Sequence, residues 1–131
     1  MLYKSCKDKS FLLYRLADLG NTYLDKGLFE QSVKAFKKAV KLNKNCGECY
    51  IDMGIALKEM EKYEAAIQCY QKASQINPDI KGLALYNTAC IYAIQGKNKK
   101  AKELLEEAFK LDKTLIEYAK TDPEVKHLIF S

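Results

Sequence analysis

The chain is poor in several residue types, and each shortage removes a class of function. Its six glycines are scattered among 131 residues, so no glycine-rich loop exists to cradle a phosphate. His127 is the only histidine, which confines any Ser-His or Cys-His nucleophile pair to the last residues of the chain. No apolar run is long enough to span a bilayer, and no stretch alternates as a strand would. The opening MLYKSCKDKSFLLY lacks the basic, then long apolar, then small-residue order of a secretory signal. Arginine is nearly missing: of 22 basic residues, all but Arg15 are lysine. Base edges and bidentate phosphate contacts favour arginine. The net charge of +5 is therefore read as a lysine-rich solvated surface before it is read as a nucleic-acid site. A cytoplasmic protein without enzymatic activity, cofactor or metal is expected.

What is present is a globular balance, 48% hydrophobic and 30% charged, in a length that suits one domain. The five cysteines are an odd number, so one chain cannot pair them all, and a reduced setting is the simplest expectation. The dominant feature is a period. Small residues recur at Gly20, Gly54 and Ala89, at Ser32, Ala66 and Ala101, and at Ala39, Ala73 and Ala108. Large apolar residues recur at Tyr23, Leu57 and Tyr92 and at Phe36, Tyr70 and Leu105. Within a unit the spacing is helical: Leu12, Leu16, Leu19 and Tyr23, then Phe29, Val33, Phe36 and Val40, step by three and four. Gly27 and Gly96 fall where a helix end needs a left-handed residue, and Glu61 takes that place in the second unit. Pro78 stops the second unit's last helix. Each unit is predicted to be a helix-turn-helix hairpin whose small residues sit where its helices cross. Stacked hairpins then share one core.

On these residues the chain resembles the tetratricopeptide repeat family, with repeats at 13–46, 47–80 and 82–115. The second unit fits best, through Tyr50, Met53, Gly54, Leu57, Tyr63, Ala66, Tyr70, Ala73 and Pro78. The first departs at Ser32 and Lys44, the third at Thr88, Ala89 and Lys113. The third unit and the following LIEYAKTDPEVKHL resemble the closing segment of many bacterial repeat proteins of this kind. The resemblance implies an all-α fold, a right-handed α-α superhelix of three hairpins plus short capping helices. Residues 1–10 are expected as a frayed leader, 11–131 as the single repeat domain, and 116–131 as its cap. Within the cap, Thr121 or Asp122 is placed to cap a helix with Pro123 at its first position and Glu124 in its first turn.

The stretch Cys46-Gly47-Glu48-Cys49 is the one motif with chemical meaning, and it straddles the boundary between units one and two. Structural zinc needs a second close pair of ligands, and Cys6, Cys69, Cys90 and His127 do not supply one. A redox dithiol is the better-motivated alternative, because a helix N-terminus lowers a thiol pKa. Packing is preferred: the counterpart of Cys49 in unit three is Ala84, and a free cysteine packs as a small hydrophobe.

The resemblance places a ligand on the concave side lined by the first helices. The face opposite their core stripes carries Tyr14, Asp18, Asn21 and Asp25, then Glu48, Ile51, Asp52, Ile55 and Glu59, then Leu83, Tyr86, Asn87 and Cys90. This face is acidic, whereas Lys34, Lys37, Lys38, Lys41 and Lys44 fall on the outer side. The expected partner is another protein offering a basic, partly apolar or amphipathic segment, with Tyr14, Ile51, Ile55 and Tyr86 as apolar anchors free of the hairpin cores. The alternative is an anionic surface or nucleic acid on the lysine-rich side. Family members that hold acidic chaperone tails use a clamp of lysines, arginine and asparagines. At the corresponding places, Ala17, Asn21, Asp52, Leu83 and Asn87, only Asn21 matches, so no such clamp is expected.

Overall fold

A computed structural model describes residues 2–129, with side-chain surroundings from residue 10 onward. The elements are α1 (Leu2–Asp25), α2 (Phe29–Leu42), α3 (Gly47–Glu59), α4 (Tyr63–Ile76), a 3-10 turn (Pro78–Ile80), α5 (Lys81–Ile94), α6 (Asn98–Leu111), α7 (Thr114–Thr121) and α8 (Lys126–Ile129). Among the described residues there is no strand. The hairpins are α1–α2, α3–α4 and α5–α6, and each packs on the next through α2 with α3 and α4 with α5. The chain is thus an all-α solenoid closed by a short helical cap.

Three identical turns build the hairpins. Leu28, Lys62 and Lys97 donate their backbone N–H to Tyr23, Leu57 and Tyr92, closing each first helix on its own last turn. The residue before each donor has positive φ: Gly27 at 76°, Glu61 at 61° and Gly96 at 77°. Between hairpins a second device repeats. Asn43, Asn77 and Asp112 end α2, α4 and α6, and each side chain accepts the backbone N–H two residues on, at 2.9, 3.0 and 3.0 Å.

All nine small positions are buried. A Cβ on Gly20 would lie 2.7 Å from the Phe36 ring, and one on Gly54 2.5 Å from the Tyr70 ring. In the third hairpin the same contact is made by Ala89 and Leu105, both buried. A smaller partner leaves room for the methyl. Ser32, fully buried, satisfies its hydroxyl by donating to the Gly20 carbonyl at 2.8 Å.

Three expectations are corrected. The stretch expected to fray is helical backbone from Leu2, because it holds neither proline nor glycine and extending an existing helix costs far less than starting one. Leu12 and Leu19, expected in the core stripe, are 48% and 41% exposed. They lie on the side of the first hairpin away from the second, where Leu19 borders a hollow with Ala35, Lys34 and Lys38. Finally, Pro123 lies in a turn that joins α7 to α8 rather than at a helix start. Asp122 nonetheless supplies a cap, since its carboxylate accepts from Glu124 N–H at 3.0 Å and its carbonyl from Lys126 N–H at 2.8 Å.

Candidate functional site

The first helices lie side by side, α1 touching α3 and α3 touching α5, so their outward faces form one concave surface. Tyr14 is 71% exposed there. Asp18, Asp25, Glu48, Glu59 and Leu83 are also exposed, and Asn21, Asp52, Ile55 and Asn87 are half-buried. The structure brings three of these polar residues together. Asn21 of α1 and Glu48, one turn back on α3, are the side chains that act on the Asp52 carboxylate of α3. Burial raises the Asp52 carboxyl from 3.8 to about 6, the Asn21 side chain pulls it down, and the Glu48 charge adds to the rise. A half-buried acid with one neutral partner and an acidic neighbour lacks a cation.

Ile51, Tyr86 and Cys90 do not belong to the open floor. They are 4%, 2% and 2% exposed, which corrects the expectation that they stand free of the cores. Ile51 packs in the cluster of Ala66, Tyr70, Ala84 and Ile91, since adjoining first helices bury part of the face they share. Tyr86 and Cys90 are covered by the cap. Tyr86 stacks edge-on against Tyr118 of α7, with ring centres 5.6 Å apart, and donates its hydroxyl to Asp122 at 2.5 Å. The Cys90 thiol faces the same carboxylate at 3.9 Å.

Two residues further on, Glu124 reaches back to the second hairpin. It accepts from the Lys58 ammonium of α3 at 3.0 Å, and the Lys58 side chain is only 12% exposed. Burial pulls the Lys58 pKa down, but the hydrogen bond and charge of Glu124 more than offset it and the net shift is upward. Residues 122–124 thus form a lock across the concave side of the last two hairpins. The open part is confined to α1 and α3.

Cys90, Asp122 and Glu124 offer three ligand atoms within 4.8 Å of one another. Each is already engaged: Asp122 by Tyr86, Glu124 by Lys58, and the Cys90 thiol is pushed up to about 12 by burial and by Asp122. The set acts as a hydrogen-bonded lock, and three mixed donors fall short of the four ligands of a structural zinc site.

Cys46 and Cys49 correct the packing expectation: their sulfurs are joined in a disulfide. Spacing could not show this, because four residues in loop or helix conformation bring the two sulfurs to very different separations. The outer lysines Lys34, Lys37, Lys38, Lys41 and Lys44 are all exposed, as expected. A surface hollow of about 680 Å³ lies at the start of α6, lined by Gly96, Lys97, Asn98, Lys99, Lys100 and Glu103. There Lys97 and Lys100 sit 5.6 and 4.6 Å from the centre of the Tyr92 ring.

Sequence reasoning missed the Asn43, Asn77 and Asp112 turns, although their own 34- and 35-residue steps were a usable signal. It also missed Asp122 and Glu124 as concave-side residues, for which one helix's spacing holds no signal.

Comparison with known proteins agrees with this geometry. Tetratricopeptide repeats match at residues 14–46, 47–80 and 82–115. A TPR repeat-containing protein of Methanocaldococcus jannaschii is 28% identical over 120 residues, covering 85% of this chain and 21% of that protein. The chain therefore spans about a fifth of that relative's length. Among solved structures, MamA superposes with a TM-score of 0.74 at 26% identity, over 96% of this chain and 71% of that one. The TPR domain of Arabidopsis OM64 superposes at 0.76 with 18% identity, over 92% and 93% of the two chains, a likeness of fold alone.

Proposed function

Because the chain belongs to the tetratricopeptide repeat family, whose repeats are general protein–protein interaction modules, we propose that it is a non-catalytic adaptor taking a basic, partly apolar segment of another protein against α1 and α3. The observation that carries this reading is the group Asp18, Glu48 and Asp52 on the open concave surface of a chain with net charge +5. Lys58, the one lysine of α3, is paired with Glu124. Such a field draws cationic segments in and repels acidic ones. An incoming ammonium or guanidinium would give Asp52 the counter-charge it lacks. Tyr14 and Ile55 offer apolar contact. Cytoplasmic location and the absence of a chaperone-tail clamp belong to the same proposal, since an acidic tail would face Asp52.

Fluorescence anisotropy with a labelled amphipathic peptide rich in lysine and arginine tests it. Aromatic contacts dominate such interfaces while exposed charges add little. Tyr14→Ala should weaken binding by about ten-fold and Glu59→Ala by less than about three-fold. Reversing Asp18 and Asp52 to lysine should slow association. Binding that survives those changes but fails when Lys37, Lys38 and Lys41 are neutralised, with a steep salt dependence, would transfer the function to the lysine-rich side and an anionic partner.

A further inference from the structure

The Cys46–Cys49 bridge has no architectural task. It closes a loop of only four residues, which constrains the unfolded chain little. The same joint at the start of α5 is built without one: Gly82 stands in Gly47's place, Ala84 in Cys49's and Lys81 in Cys46's. Both glycines are tight. A Cβ on Gly47 would lie 3.0 Å from Ile80, and one on Gly82 3.2 Å from Asp112. Small-residue packing therefore makes the joint in both places, and the bridge is an addition in one.

Its two sulfurs are unequal. Cys46 is half-exposed at the N-cap of α3, where its sulfur accepts the Cys49 backbone N–H at 3.3 Å. Cys49 is 2% exposed and packs with Val33, Phe36, Ala39, Met53 and Ala56. A helix N-terminus and a donated N–H favour a negative sulfur at Cys46. The apolar cluster disfavours one at Cys49. We propose that Cys46 and Cys49 form a thiol–disulfide exchange site, with Cys46 as the attacking sulfur and Cys49 as the resolving one.

In the reduced chain the Cys46 thiolate attacks an accessible disulfide RSSR, forming a Cys46–SR mixed disulfide and releasing RS⁻, which takes up a proton. Cys49 then loses its proton and attacks the Cys46 sulfur, expelling the second RS⁻ and leaving the bridge seen here. One disulfide is reduced to two thiols and one dithiol is oxidised. Run backwards with two thiols, the same steps reduce the bridge. The other described cysteines do not compete, since burial pushes the Cys69 thiol up to about 11 and the Cys90 thiol up to about 12.

The reduced full chain treated with glutathione disulfide tests this. Acid quenching, trypsin and mass spectrometry follow, because residues 45–58 leave as one peptide carrying both cysteines. The wild-type peptide should end with the bridge and carry no glutathione. Cys49→Ala, which borrows the residue of the α5 joint, should stop at one glutathione on Cys46. Cys46→Ser should acquire an adduct on this peptide at least about ten-fold more slowly. Two free thiols in the wild-type peptide after treatment, or equal rates for the two variants, would overturn the assignment.

Discussion

At the scale of the residue, Asp52 is where stability and the proposed recognition oppose each other. Its carboxyl titrates at about 6 when folded and 3.8 otherwise, so the folded chain holds that proton more tightly than the unfolded one. Between those values stability falls as pH rises, and the loss is complete above about 6. Asp52→Asn removes the penalty. It should stabilise the chain at pH 7 by about 1–2 kcal/mol once solvent screening is allowed for, with the gap closing below pH 4 as both states protonate. Urea unfolding at pH 7 and pH 3.5 measures it, and an equal gap at both would remove the carboxylate charge as the cause. The same substitution should weaken capture of a cationic segment.

At the scale of the element, each hairpin depends on one pairing of volumes. Gly54 admits the fully buried Tyr70 ring and Gly20 admits Phe36, whereas Ala89 meets Leu105. Gly54→Ala should gain helix propensity yet lose about 2 kcal/mol net, because the methyl and ring cannot share the space. Adding Tyr70→Leu, the third hairpin's own solution, should recover part of that loss. A double-mutant cycle by thermal unfolding gives the coupling, and strictly additive effects would contradict the contact. The crossing points were legible in the sequence because packing is what the repeat enforces: Gly20, Gly54 and Ala89 placed every hairpin. The large side chains that fill the space opposite Gly20 and Gly54, Phe36 and Tyr70, were not legible as their partners. The concave face was only half legible. Spacing along α5 shows that Tyr86 and Cys90 share a face with Asn87, but their cover, Asp122, lies 36 and 32 residues downstream.

At the scale of the whole molecule, the lock made by residues 122–124 sets the extent of the open surface. Glu124→Gln would leave the Lys58 ammonium, 12% exposed, with only the more distant and exposed Glu59 carboxylate at 3.8 Å, at a cost of about 1–2 kcal/mol. Amide exchange should quicken in α3 as well as in the cap. Exchange that quickens in the cap alone would show that the two are not energetically joined. In a solenoid most contacts join neighbours, which makes for quick folding, and this ion pair, spanning 66 residues, is an exception. Its loop can close only after the second and third hairpins have docked, so its closure entropy falls on the end of the folding reaction. A contact that closes last is expected to open early. To bare α5, however, the cap must also lift Leu115, Ala119, Val125 and Leu128 from the cluster they share with Tyr86 and Cys90. The reach of the concave surface is therefore tied to the packing of the last hairpin.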